Sequence, residues 1–528
     1  MSNHAYESAA ALRPSSNGPI PISTLCERFS LAPASAEDAA ALNDLSILGV
    51  SVDSADTAPG ELFVGLPGFT VHGARFAADA VASGAVAVLT DADGAQIVHQ
   101  TAPGTPVLVH SDPRAVVGPL SAEVYHHPAR GLVTTAVTGT NGKTTTAYFL
   151  DAILSAHVGG CMVAGTVELR VGERSVESPR TTVEAPVLQR MMALAVEDKV
   201  GAASLEASSH AIVLHRLDGI VVDVAGFTNL QRDHLDFHKT MEGYLEAKAQ
   251  LFTPEHARRG VVCVDDQWGA ALAAEAPIEI DRVRAYPGET PADWWVSDAA
   301  VSLTDSATTF TLHGPDGEKI EASCPLPGLV NVQNAALALV MAIRAGVPAA
   351  TAAAALAGAH NIPGRMQRIS QRYGRRGLCI VDFAHTPEAM ELALKAVRPI
   401  TPGRLIVVFG SDGDRDQGKR PMLGEVCARL ADVLVVTDEN PRSEDPQLIR
   451  NAILEGVRSV RPDLQDVEEI TTWRGDAVRR GVELCGPQDT VIVTGKGHEP
   501  FLEAAGEFIR YNDAPVMAEA VEQKWGRG

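Results

Sequence analysis

A glycine-rich turn between a predicted strand and a predicted helix constrains this chain more than any other feature. The β-branched residues 133–138 run into Gly139-Thr140-Asn141-Gly142-Lys143-Thr144, and a helix is predicted from about Thr144 to Ala156. A strand that turns through glycines into a helix N-terminus surrounds an anion with backbone N–H groups. Lys143 can neutralise the β- and γ-phosphates of a nucleotide, and the Thr144 hydroxyl can bind Mg²⁺. The turn therefore predicts a nucleoside triphosphate site.

The turn is shorter than a strict P-loop. That motif has its first glycine two residues before Gly139, whereas residues 136–138 contain no glycine. The alternative interpretation is a tight strand-to-helix turn whose lysine is solvated. We favour the phosphate site because strand, glycine turn, lysine and helix follow one another in the required order.

Composition and length bound the class of protein. At 528 residues the chain is too long for one hydrophobic core and predicts about three domains. Hydrophobic residues make up 45% and charged residues 21%, which is typical of globular proteins. No uninterrupted apolar run of about 18 residues predicts a membrane span, and no signal peptide is recognisable. We therefore expect a cytoplasmic protein that is not inserted into a membrane.

Charge and cysteine content exclude further classes. The net charge of −22 argues against nucleic acid as the main ligand, because a phosphate backbone requires a basic surface. Anionic small molecules remain compatible, since local Lys and Arg clusters can outweigh the net charge. The seven cysteines are scattered without a CxxC pair, which predicts reduced, buried thiols and neither a disulfide framework nor a zinc site.

Alternating apolar strands and helices predict an α/β protein of three domains. Residues 1–20 are rich in Ser, Asn and Pro, and we expect them to be disordered. Residues 21–130 are predicted to form a small α/β domain, and residues 131–363 a central P-loop domain with a mainly parallel sheet and added hairpins. Residues 364–528 are predicted to form a Rossmann-like, doubly wound domain.

The C-terminal domain has the clearest alternation of strands and helices. Its strands are predicted at Leu378–Asp382, Leu405–Phe409, Val433–Thr437 and Thr490–Thr494. Its helices are predicted at Pro387–Val397, Arg420–Leu430, Pro446–Val460 and Gly475–Leu484. Doubly wound sheets bind ligands at the carboxyl ends of their strands. The polar loops 410–419, 438–445 and 495–499 follow such ends, so we expect a ligand site there.

Three ionisable groups in the central domain are candidates for catalysis. Glu206 follows a short apolar run, and a carboxylate at a strand end in a P-loop domain is an expected Mg²⁺ ligand. His234 lies in the dense polar stretch 227–238, where it can bind a metal or cap a loop. Lys248 lies on a helix predicted over 244–252, and the residues alone favour a solvated lysine there.

Several motifs, in one order along the chain, resemble a single family. In the central domain they are Thr138-Gly139-Thr140-Asn141-Gly142-Lys143-Thr144, Glu206-Ala207-Ser208-Ser209-His210, Thr228-Asn229-Leu230-Gln231-Arg232-Asp233-His234-Leu235-Asp236 and Asn361-Ile362-Pro363-Gly364-Arg365. Further along they are Asp382-Phe383-Ala384-His385-Thr386-Pro387, Asp414-Arg415-Asp416-Gln417-Gly418-Lys419-Arg420-Pro421 and Gly495-Lys496-Gly497-His498-Glu499. From about Ser51 onward the chain thus resembles the Mur ligases, ATP-dependent amino-acid ligases of peptidoglycan precursor synthesis in cell-wall biogenesis.

The resemblance implies domains for a UDP-sugar, ATP and an amino acid, with ATP and Mg²⁺ as cofactors. It implies the catalytic residues Lys143, Lys248, His234 and Glu206. The implied metal ligands are Thr144, Glu206, His234 and Lys248, the last as a carbamate. The implied ATP-binding residues are Gly139, Thr140, Asn141, Gly142, Lys143, Thr144, Thr145, Asn334, Arg365, Asp382 and His385. The implied UDP-muramoyl-peptide-binding residues are Ser54, His72, Thr181, Thr182, Ser208 and Arg216.

The residues implied to bind the sugar-peptide substrate include some with a second interpretation. From the residues alone, Ser54 and His72 are as readily turn residues as ligand-binding residues. The chain also departs from the family pattern in the segment Thr181-Thr182-Val183-Glu184, where the family usually has proline in the third position. That difference changes the stiffness of the loop more than its chemistry.

The motifs of the C-terminal domain narrow the resemblance to members that join a diamino acid to UDP-N-acetylmuramoyl-L-alanyl-D-glutamate. The implied chemistry activates a carboxylate as an acyl phosphate, which the amine then attacks to form a peptide bond. We expect a monomer that has these two small molecules as substrates. A folylpolyglutamate synthetase is a remote alternative, and a non-enzymatic nucleotide-binding regulator is another.

The identity of the diamino acid depends on one loop. The implied amino-acid-binding residues are Arg415, Glu439, Asn440, Arg442, Gly495 and Glu499. The family's diaminopimelate form carries Asp-Asn-Pro-Arg where this chain has Glu439-Asn440-Pro441-Arg442. An arginine can bind the distal carboxylate of meso-2,6-diaminopimelate with two parallel hydrogen bonds, which favours that amino acid. The extra methylene of Glu439 leaves L-lysine and L-ornithine as alternatives.

Overall fold

The structure, a computed structural model, describes residues 9–302 and 307–526. It divides into two units, one holding the described residues up to 294 together with 337–355, and the other holding 295–336 and the described residues from 356 onward. No helix in the described ranges is both long and apolar enough to cross a membrane. All seven cysteines are free thiols, and six of them are buried, as predicted.

A five-stranded sheet organises the N-terminal part of the first unit. The strands of this part are β1 (Ile20–Pro21), β2 (Ala32–Pro33), β3 (Ser46–Ile47), β4 (Gly49–Ser51), β5 (Glu61–Val64), β6 (Ala87–Thr90) and β7 (Val107–Val109). The helices are α1 (Ile22–Phe29), α2 (Ala36–Leu42), α3 (Ala77–Ala82), α4 (Ala92–Thr101) and α5 (Pro113–Val124). The sheet order is β2-β7-β6-β5-β4, with β4 to β7 parallel and β2 antiparallel.

This sheet is buried on both faces, and most positions of its strands are apolar. In β5, Leu62 and Val64 pack into one hydrophobic core, whereas Phe63 packs into the core on the other face. Successive side chains of a strand point to opposite faces, so a strand covered on both sides needs apolar residues at every position. The predicted α/β character of this region is confirmed.

A second, mainly parallel sheet carries the glycine turn. Its strands are β8 (Val133–Thr138), β9 (Cys161–Ala164), β10 (Glu168–Val171), β11 (Arg174–Glu177), β12 (Ala202–Glu206), β13 (Val222–Phe227), β14 (Ala257–Cys263) and β15 (Glu279–Arg284). The accompanying helices are α6 (Lys143–Val158), α7 (Ala185–Glu197), α8 (Ser209–Val213), α9 (Leu235–His238), α10 (Met241–Ala249) and α11 (Gln267–Glu275). Strands β9-β12-β8-β13-β14-β15 are parallel in that order, and β10 and β11 add an antiparallel edge.

Antiparallel strands follow, as the alternating sequence predicts. They are β16 (Trp294–Val301), β17 (Thr308–His313) and β18 (Lys319–Cys324), and β17 pairs with both of the others. Helices α12 (Leu329–Arg344) and α13 (Ala349–Ala357) come next.

The C-terminal sheet lies in the second unit. Its region contains the strands β19 (Gln367–Ser370), β20 (Leu378–Val381), β21 (Leu405–Phe409), β22 (Val433–Val436), β23 (Val467–Glu469), β24 (Thr490–Val493), β25 (Phe501–Ala504) and β26 (Glu507–Arg510). The helices are α14 (Pro387–Val397), α15 (Lys419–Leu430), α16 (Pro446–Val460), α17 (Arg474–Leu484) and α18 (Asp513–Trp525). The order β19-β20-β24-β21-β22-β23 is parallel except for β19, which confirms the doubly wound prediction. The strand β23 and the hairpin β25–β26 were not predicted.

The N-terminal segment differs from expectation. The Leu12 side chain is fully buried, and the guanidinium of Arg190 donates hydrogen bonds to the carbonyls of Ala9 (2.7 Å) and Leu12 (3.1 Å). The disorder predicted for residues 1–20 is therefore wrong for residues 9–20, because one apolar side chain and two backbone carbonyls find buried partners. Residues 1–8 lie outside the described residues.

Candidate functional site

The glycine turn has the backbone geometry that its sequence predicts. Strand β8 ends at Thr138, α6 begins at Lys143, and Gly139 (φ 143°) and Gly142 (φ 91°) adopt conformations that favour glycine. A Cβ atom on Gly139 would lie 1.9 Å from Oγ1 of Thr228. The turn is therefore closed against the neighbouring strand end and has no room for a side chain at Gly139.

Residues after β13 hold the turn in place. Thr228 donates its hydroxyl to the Asn141 carbonyl (2.6 Å), and the Asn229 side-chain oxygen accepts from the Asn141 N–H (3.1 Å). The Asn141 amide in turn donates to Oε1 of Gln231 (2.8 Å). We did not predict Thr228, Asn229 and Gln231 as site residues. The sequence feature that could have indicated them is the polar run directly after β13, a strand adjacent to β8.

Two lysines converge on one carbonyl of the turn. Nζ of Lys143 donates to the carbonyls of Gly139 (3.1 Å) and Thr140 (2.9 Å), and Nζ of Lys248 donates to the Gly139 carbonyl (2.8 Å). Lys143 thus places positive charge at the turn, beside the buried amine of Lys248. An anion such as a nucleotide phosphate is stabilised by that charge.

Lys248 is buried, in contrast to the solvated lysine that the residues alone favour. Its side chain is 1% exposed and lies over the ring of Tyr244, with Nζ 4.4 Å from the ring centroid. Burial, together with the charge of Lys143, lowers the pKa of Lys248 well below its ordinary value. A lowered pKa favours the neutral amine, which is the nucleophilic form of lysine.

Thr144 and Glu206 lie together, as their predicted shared role requires. The Thr144 hydroxyl donates to Oε2 of Glu206 (3.0 Å), and both side chains are buried. Thr166, which we did not predict, donates its hydroxyl to Oε2 (2.9 Å) and its N–H to Oε1 (2.8 Å) of the same carboxylate. Hydroxyl and carboxylate oxygens are the donors that Mg²⁺ prefers.

The residues predicted to bind the sugar-peptide substrate cluster around the same strand end. The Thr182 hydroxyl donates to the Glu206 carbonyl (2.6 Å) and accepts from the Ser208 N–H (3.0 Å). Arg216 donates to the Thr182 carbonyl (3.1 Å), and the hydroxyl oxygens of Thr181 and Thr166 lie 3.2 Å apart, within hydrogen-bonding distance. One network thus joins Thr181, Thr182, Ser208 and Arg216 to Glu206.

His234 lies in a group of aromatic side chains. It has a left-handed backbone (φ 53°) just before α9, and its ring centroid is 4.9 Å from that of His210. Desolvation lowers the pKa of His234, the charge of Asp233 partly opposes that shift, and the charge of Lys143 adds to it. Within residues 9–302 and 307–526, no three His, Cys, Asp or Glu side chains are grouped so as to hold a metal ion.

Ser54 and His72 occupy turns beyond the adjacent parallel strands β4 and β5. Ser54 begins the 3₁₀ turn Ser54–Asp56. His72 caps the 3₁₀ turn Gly73–Phe76, with Nδ1 accepting from the Ala74 N–H (3.1 Å) and Nε2 3.1 Å from Oδ1 of Asp91. His72 thus has a structural role as a cap, which fits the turn interpretation.

In the second unit, Asp382, Arg365 and His385 gather around one loop. The Asp382 carboxylate accepts from the N–H groups of Met366 (2.8 Å) and Ala384 (2.9 Å), and burial raises its pKa. The Arg365 guanidinium lies 4.4 Å from the ring centroid of Phe383, and the His385 ring lies 4.7 Å from that same ring. Asn334 is buried on α12, and its Oδ1 has no hydrogen-bond partner among the described residues.

The predicted amino-acid-binding loops meet at the ends of β21, β22 and β24. The Asn440 amide donates to Oδ1 of Asp412 (3.1 Å) and to Oε2 of Glu499 (3.0 Å). Arg442 lies 3.8 Å from the Asp412 carboxylate and 3.6 Å from that of Glu503. Arg415 is exposed on the loop after β21. Lys496, which we did not predict as a site residue, is fully buried between these loops.

Glu439 is the most perturbed carboxyl group of these loops. Its side chain is 3% exposed, and its Oε2 has no hydrogen-bond partner among the described residues. Burial, followed by the charge of Asp412, raises the pKa of Glu439 to about 8. A Cβ atom on Gly495 would lie 2.3 Å from that oxygen, so glycine is needed there to admit the glutamate.

Three protein-family descriptions match successive segments of the chain. The description "Mur ligase family, catalytic domain" matches residues 46–125, and "Mur ligase middle domain" matches residues 137–342. The description "Mur ligase, glutamate ligase domain" matches residues 364–497. The segments follow one another without overlap.

Relatives extend the similarity over nearly the whole chain. The chain is 43% identical over 483 residues to the UDP-N-acetylmuramoyl-L-alanyl-D-glutamate--2,6-diaminopimelate ligase of Streptomyces avermitilis, covering 92% of this chain and 94% of that protein. It is 42% identical over 508 residues to the UDP-N-acetylmuramyl-tripeptide synthetase of Leifsonia xyli, with coverage of 95% and 96%. A solved structure of a UDP-N-acetylmuramoyl-L-alanyl-D-glutamate--2,6-diaminopimelate ligase is 31% identical, with a TM-score of 0.63 and coverage of 91% and 95%.

Proposed function

The chain belongs to the Mur ligase family of ATP-dependent ligases, and on that premise we propose which bond it forms. The proposed reaction joins meso-2,6-diaminopimelate to UDP-N-acetylmuramoyl-L-alanyl-D-glutamate in peptidoglycan precursor synthesis, with conversion of ATP to ADP and phosphate. The name of the relative at 43% identity supports diaminopimelate as the amino acid, and the name of the relative at 42% identity supports a UDP-N-acetylmuramyl-tripeptide as the product. We propose that the reaction takes place in the cytoplasm, where ATP and UDP-linked precursors are available.

The proposal depends above all on the hydrogen bond between Thr144 and Glu206 beside the glycine turn. A hydroxyl at the start of α6 and a carboxylate at the end of β12, 3.0 Å apart, form an oxygen donor pair next to the place of the phosphates. This pair fits Mg²⁺, which binds through one or two protein oxygens together with nucleotide phosphates and water. When bound, Mg²⁺ would neutralise charge on the β- and γ-phosphates.

The turn residues have separate proposed tasks. We propose that the N–H groups of residues 139–145, including Thr145, surround the phosphates. Lys143 is proposed to break its hydrogen bonds to the carbonyls of Gly139 and Thr140 and to pair with the phosphates. Asn334, Arg365, Asp382 and His385 are proposed to bind the rest of ATP. The unpartnered Oδ1 of Asn334 supports its inclusion, because a buried amide oxygen without a donor is costly unless a ligand supplies one.

Lys248 is proposed to carry a carbamate. Its amine would attack the carbon of CO₂, form an N–C bond and lose one proton, which replaces a buried amine by a two-oxygen anion. The lowered pKa supports this step, since only the neutral amine has a free electron pair. The carbamate, with His234, is proposed to complete a second Mg²⁺ site. The described residues provide no ion-pair partner within 4.0 Å for an unmodified Lys248 ammonium, which fits the proposal.

The ligation itself would need no protein nucleophile. The terminal carboxylate of the substrate peptide attacks the γ-phosphate, ADP leaves, and an acyl phosphate forms. The amine of the diamino acid then attacks the acyl carbon, and phosphate leaves. We propose that Thr181, Thr182, Ser208 and Arg216, with Ser54 and His72 at the UDP end, orient the substrate. Orientation and charge stabilisation then supply most of the rate enhancement.

Arg442 is the residue on which the choice of diaminopimelate rests. Its guanidinium contacts Asp412 and Glu503 only at 3.8 and 3.6 Å, and Nε has no hydrogen-bond partner among the described residues. It therefore retains donors for a ligand, and a distal carboxylate accepts two of them in parallel. Arg415 is proposed to bind the proximal carboxylate, and Glu439, Gly495 and Glu499 to surround the distal ammonium.

A substrate panel tests the proposed function. Purified protein is assayed for ADP release with ATP, the UDP-linked dipeptide and one of meso-diaminopimelate, L-lysine or L-ornithine. We expect turnover that depends on all three substrates and is fastest with diaminopimelate. Lys143→Ala serves as the inactive reference, because it removes the phosphate-pairing charge from a surface turn. Efficient turnover with lysine or ornithine and none with diaminopimelate would refute the amino-acid assignment.

We propose the domain boundaries 21–130, 131–363 and 364–528, with one substrate assigned to each domain. Each of the three family matches lies within one of these ranges, which supports the proposed division. ADP release that needs neither dipeptide nor amino acid would instead favour a nucleotide-dependent regulator. We propose that the active form is a monomer.

A further inference from the structure

The side chain of Asn440 is saturated by protein partners. Its Oδ1 accepts from Nζ of Lys496 (2.9 Å) and from the N–H of Glu503 (3.2 Å). Its Nδ2 donates to Oδ1 of Asp412 (3.1 Å) and to Oε2 of Glu499 (3.0 Å). An amide group has two donors and two acceptor positions, so none remains for a ligand. The amide orientation is unambiguous because the ammonium can only donate and the carboxylates can only accept.

Lys496 is saturated in the same way. The ammonium is fully buried and donates to Oδ1 of Asn440 (2.9 Å), Oε2 of Glu499 (3.0 Å) and the Phe501 carbonyl (2.5 Å). These three acceptors use its three N–H groups. A buried charge is tolerated only when it is paired and hydrogen-bonded, and here the pairing charge is the Glu499 carboxylate.

Glu499 differs from these two residues in one respect. Its Oε2 receives both hydrogen bonds, from Asn440 and from Lys496, whereas Oε1 has no recorded hydrogen bond among the described residues. The Glu499 side chain is 35% exposed. One oxygen is therefore anchored within the protein, and the other is available to a cationic ligand.

We infer that Lys496 and Asn440 are positioning residues for the amino-acid site and that neither side chain touches the ligand. They hold the carboxylates of Glu499 and Asp412 at fixed separation around one amide group, so that Oε1 of Glu499 meets the distal ammonium of the diamino acid. This assignment rests on the proposed function, and it moves Asn440 from the ligand-binding residues to their support. The buried Lys496 ammonium also pairs with the charge of the Glu499 carboxylate at 3.0 Å.

The test separates amine binding from acyl phosphate formation. Lys496→Met removes the charge and the three donors at nearly constant volume. Hydroxylamine serves as a second acceptor, because it attacks the acyl carbon, releases phosphate and forms a hydroxamate without occupying a diamino-acid pocket. We expect the KM for diaminopimelate to rise about tenfold or more, since removing a buried hydrogen-bonded charge misplaces its partner. Hydroxamate formation should stay within about twofold of the wild-type rate.

Lys524→Met is the matched control. Lys524 also donates to three acceptors, the carbonyls of Val482 (2.9 Å), Glu483 (2.8 Å) and Cys485 (2.5 Å), and it lies in the same unit but outside this network. It should lower the melting temperature and leave the KM for diaminopimelate unchanged. A rise in that KM for Lys524→Met equal to that for Lys496→Met would overturn the positioning role.

Asn440→Asp provides a second route if Lys496→Met fails to fold. It keeps the acceptor for Lys496 and replaces the amide nitrogen by an oxygen that repels Asp412 and Glu499, so the same rise in KM is expected. An unchanged KM in either folded variant, or a parallel loss of hydroxamate formation, would overturn the inference. A wild-type protein that forms hydroxamate but uses no diamino acid would refute the proposed amino acid instead, so the two failures are distinguishable.

Discussion

Burial changes the chemistry of individual titratable residues in both units. The pKa of Lys248 is lowered, and the pKa values of Glu439 and Asp382 are raised, in each case chiefly because the charged form loses its water. Nearby charges then add to the effect, Lys143 for Lys248 and Asp412 for Glu439. Groups perturbed in this way concentrate at functional sites. Asp382 and Glu439 lie in loops that follow β20 and β22, and Lys248 lies on α10.

Glu439 gives a stability prediction with a definite sign. Between its ordinary pKa of 4.5 and its folded value of about 8, the folded protein holds a proton that the unfolded chain has lost. The contribution of Glu439 to the free energy of unfolding is therefore fully present below about pH 4.5. It declines as the pH rises from there to about 8, and it is constant above about pH 8. We expect Glu439→Gln to remove that decline, which is on the order of a few kcal/mol, in urea unfolding of the ligand-free protein followed from pH 5 to 9.

The matched control for Glu439 is Glu507→Gln on the exposed strand β26, which should leave the pH dependence of unfolding as it is in the wild type. A wild-type stability that does not fall between pH 5 and 8, or a Glu439→Gln variant with the same slope, would contradict the assignment of a protonated, buried carboxyl group.

Lys248 gives a prediction about chemical rescue. Lys248→Ala removes the proposed carbamate and should be nearly inactive, and acetate or formate should restore part of the activity by supplying a two-oxygen anion in the vacated space. Lys239→Ala is a suitable control, because that lysine is exposed on the loop before α10. Near-wild-type turnover of Lys248→Ala without added acid would show that the buried amine is not required.

At the scale of elements, two glycines shape the connection from β8 to α6, where we propose that the phosphates bind. Gly139 faces Thr228 with no space for a Cβ atom, and its φ of 143° is a conformation that other residues avoid. Four residues thus join strand to helix while the N–H groups of the first helical turn remain directed at one point. The neighbouring strand β13 supplies the polar residues that hold this shape.

Gly139→Ala tests this connection. The added methyl group would displace either the turn or Thr228, and a misplacement of about 1 Å at a catalytic site costs about a hundredfold in turnover. Gly159→Ala at the other end of α6 is the control, since Gly159 also has a positive φ (83°) but no atom within 4 Å of the added Cβ. It should cost about 1 kcal/mol of stability and leave turnover unchanged. Comparable turnover in the two variants would contradict the role of the closed turn.

At the scale of the whole molecule, the N-terminal segment ties together parts of the first unit that lie far apart in sequence. Arg190 on α7 is 1% exposed and pairs with the Asp56 carboxylate (2.9 Å) in addition to the carbonyls of Ala9 and Leu12. Arg13 pairs with both Asp56 and Glu61. The 3₁₀ turn that carries Ser54 is thereby joined to α7.

Arg190→Leu should therefore destabilise the first unit. Without Arg190, the Asp56 carboxylate keeps only Arg13 as a cationic partner. Removing one partner of a buried ion pair costs about 3 kcal/mol. Thermal unfolding is the measurement, and we expect Arg174→Leu, which removes an exposed pair with Asp198 at 3.7 Å, to change stability by less than about 1 kcal/mol. Equal melting temperatures for the two variants would show that the N-terminal segment contributes nothing to the fold.

Local patterns were sufficient to determine the α/β class, the strand–turn–helix order around Lys143 and most elements of the C-terminal sheet. Helices α14 and α16 begin and end where predicted, because a Pro at the first helical position and a polar cap mark each start locally. Local sequence also placed Thr144 correctly at the start of a helix, Glu206 at the end of a strand and Arg442 on a loop. Short-range sequence carries this information because helix periods, strand alternation and caps depend on neighbouring residues.

The tertiary structure determines how deeply those residues are buried and which residues are their neighbours. Lys248 looks like a solvated helix residue, and only the packing of α10 against the turn shows that its amine is buried beside Gly139. Lys496 and Asn440 are neighbours only because β22 and β24 end near one another, separated by 56 residues in sequence. Leu12 becomes a core residue through contacts with a distant helix. Burial and long-range pairing depend on which strands the fold brings together, and a local sequence pattern does not predict which strands those are.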